Sequence, residues 1–152
     1  MTDQENSATS CPVCGGPLNS VSEEKEMRIG QRSARVMDEL SRCTDCGEAF
    51  YAPGQMDATM RRASDAIRQS EGLLASEEIR EIREGLGLTQ AAFEKLLGVG
   101  PKTVVRWEKG TVFQNRSTDS LLRVIDALPE SAAFLARLHG VPLRDYPEVA
   151  VQ

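Results

Sequence analysis

All four cysteines of the chain stand in two matching frames, Cys11-Pro-Val-Cys14-Gly15 and Cys43-Thr-Asp-Cys46-Gly47, with 28 residues between Cys14 and Cys43. A CxxC turn puts two thiolates on one side of a tight loop. A glycine behind it lets backbone N–H groups point at the sulfurs. Two such turns supply four soft ligands to one tetrahedral ion. Thiolates around a redox-inert cation suit zinc. Four thiolates leave no open coordination position, so Zn2+ is expected to be structural and not catalytic. The other readings are two local disulfides or free thiols. The metal is expected to supply most of the stability of residues 11–52.

The rest of the composition is consistent with such a staple. Aromatics are 5% of the 152 residues, and a small domain poor in bulky side chains usually needs a metal or a disulfide. This length allows one ordinary domain or two small ones. Hydrophobic content of 40% and charged content of 27% fit a globular protein. No apolar run reaches the roughly 18 residues of a membrane span. The first ten residues lack the basic-then-apolar pattern of a secretory leader, so a cytoplasmic location is expected, where disulfides are rare. The formal net charge of −5 would argue against nucleic acid if it were evenly spread. It is not. Between Lys95 and Arg123 six basic residues face only Glu108 and Asp119, whereas Ser76 to Glu94 carries five acids against two bases. DNA binding needs only one basic face.

Residues 1–10 are polar and expected to be disordered. Glu26 to Arg28 and Ala34 to Leu40 read as extended, with a turn at Gly30-Gln31, although charges interrupt the alternation. After Pro53-Gly54, residues 56–70 read as a helix, because Met56, Met60, Ala63 and Ile67 share a face. Gly72 stops it. This gives an N-terminal α+β zinc-binding domain over 11–72. Residues 73–140 then read as an all-α domain of five helices, followed by a tail over 141–152. Ser76 is an N-cap candidate, with Ile79, Ile82 and Leu86 as the apolar stripe. Thr89 caps the next helix, whose Ala92, Phe93, Leu96 and Leu97 face inward, and Gly98 ends it. Pro101 is expected at the first position of the third helix and Gly110 at its end. Ser117 is expected to cap the fourth, and Pro129 starts the fifth.

The second and third of these helices form a helix-turn-helix pattern. A short helix crosses the DNA backbone, and a tight turn sends the next into the major groove. Gln90, at the start of the first, is placed to meet a phosphate. Lys102 and Arg106 lie four apart, with Thr103 beside them. Arginine can hold guanine O6 and N7 with two bonds, and lysine does so less rigidly. Lys109 and Arg116 are expected at phosphates. Val104 and Trp107 form the opposite face, directed at Phe93 and Leu97. The plainer reading is a helical bundle with a solvated charged face.

The segment 87–110 resembles the phage-repressor type of helix-turn-helix. Behind a CPVCG…CxxCG domain, with Arg106-Trp107-Glu108-Lys109-Gly110 and Ser117 to Asp126, the chain resembles the MqsA antitoxin family and its YgiT-type zinc finger. The resemblance implies a type II antitoxin. Its zinc domain would neutralise a ribonuclease toxin of the MqsR kind, and its C-terminal domain would dimerise and repress its own operon at a palindrome in double-stranded DNA. The family's two base-reading positions fall on Lys102 and Arg106. The first is an asparagine in the family pattern, so a different base preference is expected. The cysteine spacing also resembles rubredoxin, which holds iron. A second domain and few aromatics to shield a redox centre favour zinc.

A homodimer is expected, with Leu121, Val124, Ile125 and Leu135 as interface candidates or, equally, as bundle core. A stand-alone transcriptional regulator with a structural or sensory zinc domain is the alternative function. An enzyme is not expected. The one histidine, His139, sits near the end of the last helix, and no nucleophile–base pair or phosphate loop is present.

Overall fold

The computed structural model describes residues 10–143. The disordered start and most of the tail expected from sequence fall on residues 1–9 and 144–152, outside the described residues. The chain divides into two compact units, one ending at Ala63 and the other beginning at Ser64.

The first unit is built on a long hairpin, β1 (Leu18–Ile29) and β2 (Arg32–Cys43), joined to the short β3 (Ala49–Phe50) in the order β1-β2-β3. Both strands are much longer than the alternation suggested. The register shows why. Val21, Glu23, Lys25, Met27 and Ile29 pair with Leu40, Asp38, Val36, Ala34 and Arg32, so all of them share one face. On that face Met27, Ile29, Leu40 and also Asp38 are buried. The charges that seemed to break the pattern belong to the inner face. Buried Asp38 accepts hydrogen bonds from Tyr51 Oη at 2.6 Å and Thr59 Oγ1 at 2.9 Å, with Lys25 Nζ at 3.6 Å. The two-residue turn falls at Gly30-Gln31, as expected. Gly30 has φ +62°, which a hairpin turn with glycine first accepts without strain.

Helix α1 (Gln55–Glu71) runs across the division between the units. In the first unit Thr59 and Arg62 tie it to β2, Arg62 Nε donating to Met37 O at 3.1 Å. The stripe read from sequence is buried at Ala63 and Ile67, while Met56 is exposed.

The second unit contains α2 (Ser76–Gly85), α3 (Gln90–Leu97), α4 (Thr103–Lys109), α5 (Arg116–Ala127) and α6 (Pro129–His139). A small sheet followed by helices is the α+β plus all-α organisation expected. Five helices follow α1, and their apolar faces form one core around Ile79, Phe93, Leu96, Val104, Trp107 and Leu122. Thr89 caps α3 as expected, accepting from Ala92 N at 3.1 Å. Other ends differ from the sequence reading. Ala75, not Ser76, is the N-cap of α2. Ser76 is buried and its hydroxyl donates to Asp65 Oδ1 at 2.8 Å, a tertiary partner that outcompetes a local cap. Asn115, not Ser117, caps α5 by accepting from Thr118 N at 2.8 Å. Pro101 lies in a turn before α4 and not at its first position. Val141 and Leu143 join the core instead of trailing from it.

Candidate functional site

The four sulfurs form a single cluster, all within 4.8 Å of one another. The cysteines are free thiols in this structure. Both knuckles have the same internal bonding. Gly15 N donates to Cys11 O at 2.8 Å and Gly47 N to Cys43 O at 3.1 Å, and each glycine has φ +76°. A side chain there would be strained, which is why each CxxC ends in glycine. Backbone N–H groups of Val13, Gly16 and Asp45 point at Sγ of Cys11, Cys14 and Cys43, each at 3.4 Å. Cys11 and Cys43 are buried, while Cys14 and Cys46 face outward.

Two tests show that the cluster suits a tetrahedral cation. Metal–sulfur bonds of about 2.3 Å place tetrahedral ligands about 3.8 Å apart, and the cross-knuckle separations are 3.7 Å (Cys11–Cys46) and 3.5 Å (Cys14–Cys43). The charges agree. Backbone N–H groups of Cys46 and Asp45 help to pull the Cys43 thiol down to about 7. Gly16 N–H favours the Cys14 thiolate too, but the neighbouring thiols of Cys43, Cys46 and Cys11, with burial, push it up to about 12. One thiolate therefore forms readily and a second is resisted, as expected where like charges share a site. A bound cation removes that conflict. The four cysteines together are a metal-binding site.

In the second unit, α3 and α4 meet through Phe93, Leu97, Val104 and Trp107, all buried. The expected inner face of α4 is therefore in place. Its outer residues Lys102, Arg106 and Lys109 are exposed, with Thr103 half-buried. Lys102 precedes the helix as its N-cap and has φ +66°, the one non-glycine in the left-handed region among the described residues. It is thus not an in-helix partner of Arg106 at four residues' spacing. That backbone costs an L-residue about 1–2 kcal/mol. Lys102→Gly is therefore expected to raise unfolding stability by about 1 kcal/mol, since glycine tolerates this φ but loses more chain entropy. Urea denaturation checks it, and an unchanged or lower midpoint would show that the strain is already relieved.

Gln90, the first residue of α3, donates Nε2 to Glu108 Oε2 at 2.8 Å. Glu108 is buried and also accepts Arg83 Nε at 2.6 Å and Nη2 at 3.2 Å, with Arg80 at 3.6 Å. Burial raises its carboxyl, but the hydrogen bonds from Arg83 and Gln90 and the charges of Arg83 and Arg80 hold it below its usual 4.5. Two residues of the basic run are also engaged internally. Arg116 donates to Glu71 O at 3.2 Å, and Arg123 to Asp119 at 2.8 Å and Gly72 O at 2.9 Å. The outward cations of that run are Lys95, Lys102, Arg106 and Lys109, with Arg116 and Arg123 bound at the surface. Glu94, missed from sequence, is buried and accepts Val104 N at 3.0 Å, fixing the start of α4. His139 lies half-buried in the last turn of α6.

Residues 9–134 match the family described as the antitoxin component of bacterial toxin-antitoxin system, MqsA. The chain belongs to the MqsA antitoxin family. It is 31% identical over 124 residues to antitoxin MqsA of Escherichia coli K12, covering 79% of this chain and 94% of that protein. Antitoxin HigA-2 of Vibrio cholerae is 29% identical over 65 residues, 43% of this chain and 62% of that protein. A probable bifunctional methylthioribulose-1-phosphate dehydratase/enolase-phosphatase of Arabidopsis thaliana is 30% identical over 109 residues, 66% of this chain but 20% of that protein. The chain is thus an antitoxin of a toxin-antitoxin system, with a four-cysteine metal site in its first unit. Among the described residues no helix is long and apolar enough to cross a membrane.

Proposed function

We propose that this MqsA-family antitoxin holds structural zinc on Cys11, Cys14, Cys43 and Cys46 and represses its own operon as a homodimer on palindromic DNA. Its partner is a ribonuclease-type toxin, which it neutralises without catalysis of its own, in the cytoplasm, where thiolates stay reduced. One observation carries the DNA reading. The short α4 buries Val104 and Trp107 and leaves Arg106 and Lys109 exposed, with Lys102 exposed just before its first turn, a shape suited to the major groove. Of the interface candidates, Ile125 is core and Leu121 and Leu135 are packed against it. Val124 on α5, Leu128 between α5 and α6, and Phe134 and Leu138 on α6 are the exposed apolar residues there, and they suit the dimer face better.

Duplexes enriched from a randomised pool by the metal-loaded protein provide the probe. Arg106→Ala is expected to cost about 1–3 kcal/mol on the enriched duplex and to relax base preference. Lys109→Ala should instead weaken all duplexes alike and lower the salt slope by about one. Equal weakening of enriched and scrambled DNA by Arg106→Ala would remove its base-reading role. Co-expression with the neighbouring gene's product tests the toxin. A stable complex and restored growth are expected, and the absence of both would refute that partnership. Elemental analysis decides between zinc and iron.

A further inference from the structure

Arg68, in the last turns of α1, has its side chain wholly buried. Its guanidinium donates to Ser64 Oγ at 2.7 Å, Gln114 Oε1 at 3.2 Å, Trp107 O at 3.2 Å and Val112 O at 2.8 Å. The Phe113 ring lies 5.2 Å from it. Its carboxylate neighbour Asp65 is 3.8 Å away and 37% exposed, so its close partners are neutral oxygens. A buried cation is a costly way to fill space, and an apolar side chain of similar length is often as stable or more so. What the arginine adds is direction.

Three of its four acceptors belong to the end of α4 and the connection to α5. Trp107 O is in the last turn of α4, and Val112 and Gln114 lie between α4 and α5. Gln114, itself buried, extends the chain of bonds, donating Nε2 to Leu74 O at 2.9 Å and to Asp119 Oδ1 at 3.1 Å. Asp119 belongs to α5 and also accepts Leu74 N at 2.8 Å. At the opposite end of α4, Glu94 takes Val104 N–H. An acid thus meets the positive end of α4 and a base its negative end, the arrangement a helix dipole favours. Seven residues are too few to hold a helix alone, so these outside contacts fix where it points.

Helix α5 carries Val124 of the exposed apolar face and is followed directly by Leu128. In a two-fold dimer formed through that face, the separation of the two α4 helices depends on how α4 is set against α5 within each copy. That separation has to match the distance between half-sites. We infer that Arg68 is a positioning residue that sets the half-site spacing this protein accepts, locking α4 to α5 through Trp107, Val112, Gln114 and Asp119. The inference rests on the DNA and dimer reading above.

The test uses the full metal-loaded chain and the pool-enriched duplex, with base pairs inserted or deleted between its half-sites. The wild-type protein is expected to lose about tenfold or more in affinity on the altered spacings, the scale of one or two mismatched base pairs. Arg68→Met and Gln114→Leu should flatten that difference to about twofold while leaving affinity for scrambled duplex unchanged. Either variant keeping the wild-type spacing preference overturns the inference. So does a uniform loss on every duplex, scrambled included, which is what a purely structural role would give. Gln114→Leu carries the test if Arg68→Met does not fold. If the wild-type protein enriches no two-fold sequence, the DNA reading itself falls and the inference with it.

Discussion

Cys43→Ser is expected to abolish metal binding and to melt the cysteine unit while the helical unit stays folded. Cys43 and Cys11 are among the few buried apolar side chains of the first unit, beside Met27, Ile29, Leu40 and Ala63. So small a core supplies little stability by itself. Structural zinc contributes about 10–16 kcal/mol of apparent folding free energy in small zinc domains, comparable with the whole net stability of an ordinary domain. The core of the second unit, from Leu74 to Val141, contains no cysteine. Amide spectra should therefore lose the dispersed signals of Met27, Ile29 and Leu40 and keep those of Phe93 and Trp107. Metal content should fall below one per chain. A dispersed first unit after substitution or chelation would show that the hairpin folds unaided.

Glu108→Ala is the second large effect expected, at about 3–5 kcal/mol, because it leaves the largely buried Arg83 with only the exposed Glu84, at 3.8 Å, as a carboxylate partner. Arg83 is 13% exposed and Glu108 1% at their side chains, so solvent screens the pair poorly. The melting temperature of the helical unit should fall by on the order of 15 °C. Glu108→Gln keeps the shape and should cost less. The same carboxylate is expected to make the protein acid-labile. Its folded pKa lies below the usual 4.5, and Asp119 and Asp38 lie below their usual 3.8. For Asp119 and Asp38 too, burial pushes upward but is outweighed by hydrogen bonds, from Arg123, Leu74 and Gln114 in one case and Tyr51 and Thr59 in the other. Groups with depressed folded values stabilise fully above the unfolded pKa and lose that contribution as pH falls through the folded one. Melting should thus be level near neutrality and drop below about pH 4.5, less steeply in Glu108→Gln. A wild-type melt that stays level to about pH 3 would contradict this.

The features legible in the sequence are those whose cause is local. Two CxxCG turns need only their own glycines, and Thr89 caps α3 from one residue away. The core faces of α3 and α4 follow from helical spacing. Features missed are those whose cause is distant in the chain. Ser76 looked like a cap, but Asp65 takes its hydroxyl. Gln90 was placed from sequence at the start of α3, but its bond to Glu108, eighteen residues on, has no local signal. Arg68, Glu94, Gln114 and Asp119 are polar residues buried by tertiary partners, and no periodicity marks such positions. Lys102 was read as part of α4 because Pro101 favours a first helical turn. The chain instead makes a left-handed step there, which the residue type does not announce.

The hairpin register has a consequence for how the metal is acquired. Leu18 pairs with Cys43, so the two knuckles lie at the open end of the ribbon, and Gly30-Gln31 closes the other end. Most of the 28 residues between Cys14 and Cys43 are consumed in that pairing. Once the strands zip, the sulfurs are delivered to one another, and the ion meets a nearly assembled cage instead of closing a long loose loop. A slip of one residue would set Met27 and Ile29 of one strand on the opposite face from Leu40 of the other and would also draw the cysteine pairs out of step. Metal affinity is therefore a property of the whole ribbon, and substitutions at its far turn should be felt by the ion.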